Sequence, residues 1–156
     1  MQWIIDGHNL IPHVPGLSLS DPDDEDALIF WLQEYTRKTS DTIELFFDKA
    51  AIGQKSPVKH GRIIVNYVPA STIADQAIIS RLQKLAARAA NYTVVSSDHF
   101  VQTNARASRA KIMESSTFVD RVTHTLKSNN PASPDTSHQL KDEEIQWWLD
   151  FFNHRG

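Results

Sequence analysis

Apolar residues along the chain follow two different periods, and their order outlines a layered fold. Short apolar runs at 2–5, 42–47, 62–68 and 92–97 have the length and β-branched content of strands, and Gly, Pro, Asp or Ser bounds them. Helical spacing fills the intervals. The acid-rich stretch 21–26, with Ser20 as its N-cap, predicts a helix running to about residue 39, with Ala27, Ile29, Phe30, Leu32 and Tyr35 on its buried side. Residues 72–90, rich in Ala, Leu, Ile, Lys and Arg, predict a long helix, and another follows Asp98 to about Ala107. Lys111, Ile112 and Met113 predict a short fifth strand, and 116–127 a further helix. Polar loops are expected from Asp6 through Pro12, Pro15 and Gly16, and from Lys49 through Gly53, Pro57 and Gly61. Strands alternating with helices specify parallel βαβ units, hence an α/β fold: a three-layer α/β/α sandwich on a mainly parallel sheet.

The organisation changes after residue 127. Residues 128–140 are a polar, Pro-containing linker, and 141–156 carry an amphipathic helix. Its apolar stripe is Ile145, Trp148, Leu149 and Phe152, widened by Trp147 and Phe151. That face is expected to dock on the domain itself (residues 1–127), on a second copy in a homodimer, or on a partner protein.

Composition sharpens this picture. A chain of 156 residues is one domain's worth and buries a real core. It has no cysteine, which excludes disulfides and thiolate metal sites. The strand-like start and the lack of a membrane-length apolar run lead us to expect a cytoplasmic protein. A net charge of −3 argues against a general nucleic-acid coat. It leaves room for an enzyme that combines an acidic site with local basic patches.

The aspartates carry the chemistry. Asp6, Asp48 and Asp98 each follow an expected strand, and Asp75 lies in the first turn of the helix after the third. In a parallel sheet the C-terminal strand ends share one edge, where such folds bind their ligands. Carboxylates gathered there repel one another, and a divalent cation removes that cost. Oxygen donors without Cys or a zinc-spaced His pair favour Mg²⁺ or Mn²⁺. Each Asp taken alone also reads as a helix cap or turn residue; the joint placement points to a site. Asn9 adds a neutral oxygen and an amide donor near Asp6, suited to orienting water or phosphate, and Gly7 is expected to permit a sharp turn.

Four stretches, in order, resemble the NYN branch of the PIN-like nucleases, in particular its small bacterial YacP-like group. They are 3–11 (Trp-Ile-Ile-Asp-Gly-His-Asn-Leu-Ile), 45–48 (Leu-Phe-Phe-Asp), 73–78 (Ile-Ala-Asp-Gln-Ala-Ile) and 94–102 (Val-Val-Ser-Ser-Asp-His-Phe-Val-Gln). The resemblance spans roughly residues 2–120 and implies a PIN-like sandwich with metal-dependent RNA cleavage, leaving 5′-phosphate and 3′-hydroxyl ends. Carried over by position, Asp6, Asp75 and Asp98 are implied metal ligands and Asn9 the active-site asparagine. Gln102, Arg106 and the neighbouring Arg109 are implied to line the substrate side. Two features depart from the family pattern: Ile73 stands where a threonine is usual, beside Thr72, and no acid lies between Asp98 and Glu114. The smaller acid count suits one ion better than two.

Asp48, Ser97 and Thr72 are expected just behind the ligands. Lys49, Lys55, Lys59 and Arg62, in a stretch without acids, and Arg106 and Arg109 in another, are the candidate grip on RNA. Scattered cations also read as solvated surface. The implied reaction is phosphodiester hydrolysis by metal-activated water, on RNA that includes ribosome-associated messenger RNA as a candidate. The alternative is a non-catalytic RNA- or ribosome-binding module on the same fold. A phosphoaspartate phosphatase fits less well, because the position two after Asp6 is His8 rather than Asp. His8, His13, His60 and His99 read as loop residues outside the site.

Overall fold

The computed structural model describes residues 1–69 and 72–127. Its strands are β1 (Gln2–Asp6), β2 (Thr42–Ala50), β3 (Val58–His60), β4 (Ile63–Pro69), β5 (Tyr92–Val95) and β6 (Lys111–Met113). Its helices are α1 (Gly7–Leu10), α2 (Asp24–Lys38), α3 (Ala74–Leu85), α4 (His99–Ala107) and α5 (Ser115–Lys127). They form a six-stranded sheet of order β3-β4-β2-β1-β5-β6, parallel except for the edge strand β3. The α/β/α architecture is the one expected. The linker and C-terminal helix expected at 128–156 lie outside the described residues.

Alternation along the strands builds the two cores. Trp3 and Ile5 of β1, with Ile43, Leu45 and Phe47 of β2, face the layer of α1, α2 and α5. Ile4 and Phe46 face the layer of α3 and α4. Glu44, on that second face, accepts a forked pair of bonds from Arg81 of α3, at 2.7 and 3.1 Å. At the N-terminal edge of the sheet, buried Asp41 accepts from the Trp3 indole at 2.9 Å, Tyr35 hydroxyl at 2.6 Å and Met1 amine at 3.0 Å.

Several local expectations change. The segment after β1 is no open loop: it coils into α1 and a 3₁₀ turn at Ile11–His13. Ser20 does not cap α2, which starts at Asp24 with Asp23 at the cap position; Ser20 bonds Ser18 instead. The long helix stops at Leu85, where Ala86 takes a positive φ of 50°, and a 3₁₀ segment continues to Asn91. The expected loop after Asp48 contains strand: β2 runs on to Ala50 and β3 pairs with β4.

Candidate active site

The C-terminal edge of the sheet gathers its functional groups from four strand ends. Asp6 closes β1 opposite Phe46. One turn of chain follows and brings Asn9 back over the edge. The Asn9 Oδ1 accepts from the Ser97 amide at 2.9 Å and from the Ser115 hydroxyl at 2.7 Å. The stretch from β1 is thereby tied both to the loop after β5 and to the start of α5. Asn9 was expected to orient water or phosphate; its carbonyl oxygen is spent on this tether.

Gly7 has a different role from the one expected. It is not among the positive-φ glycines, so no left-handed turn requires it. A Cβ there would meet Phe47 Cε1 at 2.3 Å, which makes close approach the reason for glycine.

Asp48 lies beside a register irregularity between Phe47 and Ala50, where Lys49 adopts a φ of 57°. Its carboxylate is 2.6 Å from His8 Nδ1, and Glu25 of α2 is 2.8 Å from His8 Nε2. A ring nitrogen facing a carboxylate on each side donates on both, so His8 is an imidazolium. The Glu25 hydrogen bond, opposed by burial and reinforced by Asp48, lifts its pKa to about 9. This histidine, read from sequence as a loop residue, belongs to the site.

Asp6 is the strained group. Burial raises its carboxyl to about 6; the Asn9 backbone N–H and His8 pull it down, while Asp48 and Asp75 push it up. Asp75 sits in the first turn of α3, its Oδ1 accepting from the Gln76 amide at 2.7 Å. Asp98 caps α4, accepting from the amides of Phe100 at 2.8 Å and Val101 at 3.2 Å. Among the described residues, no three His, Asp or Glu side chains already stand together as a metal cage. The donor chemistry nevertheless fits a hard dication. Asp6 is a carboxylate driven toward its neutral form by burial and like charge, and a bound dication removes that cost.

Other expected residues separate. Ser97 stands at the edge, its hydroxyl accepting from the Ser115 amide at 3.2 Å. Thr72 precedes α3, its amide bonded to Pro69 O at 2.9 Å. Gln102 is buried, and its amide donates to Ser96 O and to Glu114, both at 2.8 Å, so it braces the loop from inside. Arg62 stands before β4, at the opposite edge, donating to the carbonyls of Thr36 and Thr39 at the end of α2. Arg106 and Arg109 lie in and beyond the last turn of α4, likewise at the far edge, because α4 runs antiparallel to the strands. Lys49 follows Asp48 directly; Lys55 and Lys59 are exposed in the following loop and on β3. Glu114, exposed just after β6, was also missed; the Gln102 hydrogen bond holds its carboxyl below the usual value.

Comparison with known families decides the assignment. The YacP-like NYN domain model matches residues 3–151. The chain belongs to this family. Membership makes the domain a PIN-like nuclease fold. Two solved structures share it. Rae1 (YacP) from Bacillus subtilis is 19% identical with a TM-score of 0.69, over 99% of this chain and 89% of that one. Its W164L mutant is 23% identical with a TM-score of 0.66, over 80% and 76%. At these identities the likeness is one of fold. No curated protein matches the chain.

Proposed function

We propose that this protein is an endoribonuclease that hydrolyses RNA phosphodiester bonds with the help of Mg²⁺ or Mn²⁺. The observation that carries the reading is Asp6. A half-buried carboxylate raised to about 6, with Asp48 and Asp75 acting on it, is costly in a protein that has no use for it. Asp6, Asp75 and Asp98 would hold the ion. When bound, it supplies charge neutralisation at the phosphate and lowers the pKa of an attacking water. The chain supplies the rest. Asn9 holds the Ser96–Asp98 loop against β1, and His8 keeps Asp48 and Glu25 compensated. Lys49, Lys55 and Lys59 attract the phosphate backbone, and a carboxylate of the edge takes the water's proton. The proposed substrate class includes messenger RNA on the ribosome, the products carry 5′-phosphate and 3′-hydroxyl ends, and the compartment is the cytoplasm. The segment 141–156 is proposed as a surface for a second copy or a partner protein.

The test is cleavage of an RNA oligonucleotide by purified full-length protein, with Mg²⁺ or with EDTA. Asp6→Asn and Asp98→Asn are expected to lose about two to four orders of magnitude in rate, the scale of removing a positioned catalytic group. Asp6→Asn carries a second readout. A carboxyl raised on folding gives stability below its unfolded value that is lost as pH rises through about 6. At pH 8 without metal, the variant should therefore be the more stable protein, by on the order of 3 kcal/mol. Undiminished cleavage by either variant, or in EDTA, overturns the reading.

The binding-module alternative draws on one observation, the engagement of Asp98 by the amides of its own helix. Calorimetry separates the two. A binding module holds RNA equally well with Mg²⁺ and with EDTA and never cleaves it.

A further inference from the structure

The edge that carries the site is lopsided. On the α2 side, five of the six residues at 21–26 are acidic. A phosphodiester chain approaching over that rim meets repulsion, lessened at Glu25 by the His8 imidazolium. On the α3–α4 side the acids are the candidate ligands Asp75 and Asp98 themselves, and two large apolar side chains stand exposed among them. Ile73, at the cap position of α3, is 50% exposed, and Phe100, in the first turn of α4, is 57% exposed.

These two helices share one layer and contribute Ala74, Ile78, Val101 and Ala105 to the same core cluster. Both begin at this edge, so Ile73 and Phe100 mark the same rim. Each stands two positions from a candidate ligand, Ile73 before Asp75 and Phe100 after Asp98. The Phe100 amide donates to Asp98 Oδ1 at 2.8 Å, which fixes the ring's backbone in the very turn that holds that carboxylate. Single exposed phenylalanines are ordinary on protein surfaces. This one is distinguished by being anchored to a candidate ligand, on the only flank of the two that a polyanion can approach without crossing the acidic run.

We propose that Phe100 is a specificity residue that stacks an unpaired RNA base beside the cleaved phosphate, with Ile73 as its apolar neighbour. The strand then enters over α3 and α4, away from the acidic start of α2. The inference rests on the ribonuclease reading of the same edge. An aromatic face grips any base, so it selects for an unstacked nucleotide rather than for one sequence.

Full-length wild type, Phe100→Ala and Phe100→Trp test it on an unstructured RNA oligonucleotide carrying one 2-aminopurine. Binding and fluorescence are read in EDTA, and cleavage with Mg²⁺. The exposed side chain leaves folding alone, so the thermal midpoint of Phe100→Ala should match wild type. Base–aromatic stacking corresponds to a loss of about 5-fold to about 150-fold in affinity. Phe100→Ala should raise KM by that factor with kcat nearly kept, and should lose the stacking quench. Phe100→Trp should restore both. Wild type that cleaves while Phe100→Ala matches it in KM and quench overturns the stacking role and leaves the nuclease standing. Wild type that binds with a Phe100-dependent quench but cleaves nothing supports the stacking role and overturns the nuclease. Wild type that neither binds nor cleaves overturns both.

Discussion

Gly7→Ala sets two physical effects against each other. Gly7 opens α1, and alanine is favoured over glycine in helices by about 1 kcal/mol, so propensity alone says the variant is stabilised. Packing says the reverse. The new Cβ would stand 2.3 Å from Phe47 Cε1, 2.6 Å from Cδ1 and 3.0 Å from the Phe46 carbonyl oxygen. Phe47 has no room to retreat. It is fully buried, with its ring centroid 5.1 Å from that of His8 and 5.9 Å from that of Tyr67. Overpacking of a filled core costs about 1–3 kcal/mol. Near the upper end, and after subtracting propensity, the net loss is about 2 kcal/mol. For a chain of this size that lowers the thermal midpoint by about 4–8 °C. Urea unfolding should show a lower midpoint with an unchanged slope. Adding Phe47→Leu makes room for the methyl group, and the double variant should lose at least about 1 kcal/mol less than the sum of the single ones. The displaced turn carries Asp6, His8 and Asn9, so cleavage should fall with stability. A Gly7→Ala protein as stable as wild type, or more so, refutes the packing argument.

Two further outcomes follow from the hydrogen bonds. Asn9→Ala removes the acceptor for the Ser97 amide and the Ser115 hydroxyl and should cost about 1–3 kcal/mol in urea unfolding, whereas Asn9→Asp keeps that acceptor and should recover most of it. Equal loss in both variants would show that the oxygen is not what matters. Burial alone would raise the Asp41 carboxyl, but the bonds from Tyr35, Trp3 and the Met1 amine outweigh it and hold the carboxyl below its ordinary 3.8. A carboxyl depressed on folding gives stability that is complete above the unfolded value and is lost as pH falls through the folded one. Thermal midpoints should therefore drop steeply in wild type below pH 3.8, and less steeply in an Asp41→Asn protein already weakened at pH 7. Parallel curves for the two proteins would remove Asp41 as the source of the acid sensitivity.

The sandwich was legible because its signal is repeated. Five of the strands and four of the helices show their period directly in the apolar positions, and strand–helix alternation leaves few topologies open. What escaped was short or contextual. The three residues of β3, Val58, Lys59 and His60, are too few to establish a period of two, and none of them is buried. The four residues of α1 are too few to show a helical period, and their glycine looked like a turn because its real constraint, the Phe47 ring, lies 40 positions away. Ser20 is a good capping residue in isolation, yet α2 begins four residues later, where the acids themselves populate the first turn.

The site shows a geometric rule applied halfway. Following a strand puts a residue at the C-terminal edge, and that reasoning selected Asp6, Asp48 and Asp98. The same rule applies to cations. Arg62 precedes its strand, so it belongs to the opposite edge, where it closes the end of α2. A helix leaving the edge carries its residues away at about 1.5 Å each, so Arg106 is roughly 12 Å along the axis from Asp98, and Arg109 lies in the turn beyond the end of α4. Only the first turn after a strand stays near the chemistry, and Phe100 lies in it. Applied evenly, the rule also selects Glu114, the residue after β6. His8 needed more than placement. Its significance comes from Asp48 and Glu25 meeting on either side of one ring, a contact between elements 17 and 40 residues away in sequence. It also changes what the acid count means: of the carboxylates gathered here, Asp48 and Glu25 already have an internal cation, which leaves Asp6, Asp75 and Asp98 as the proposed set for an external one.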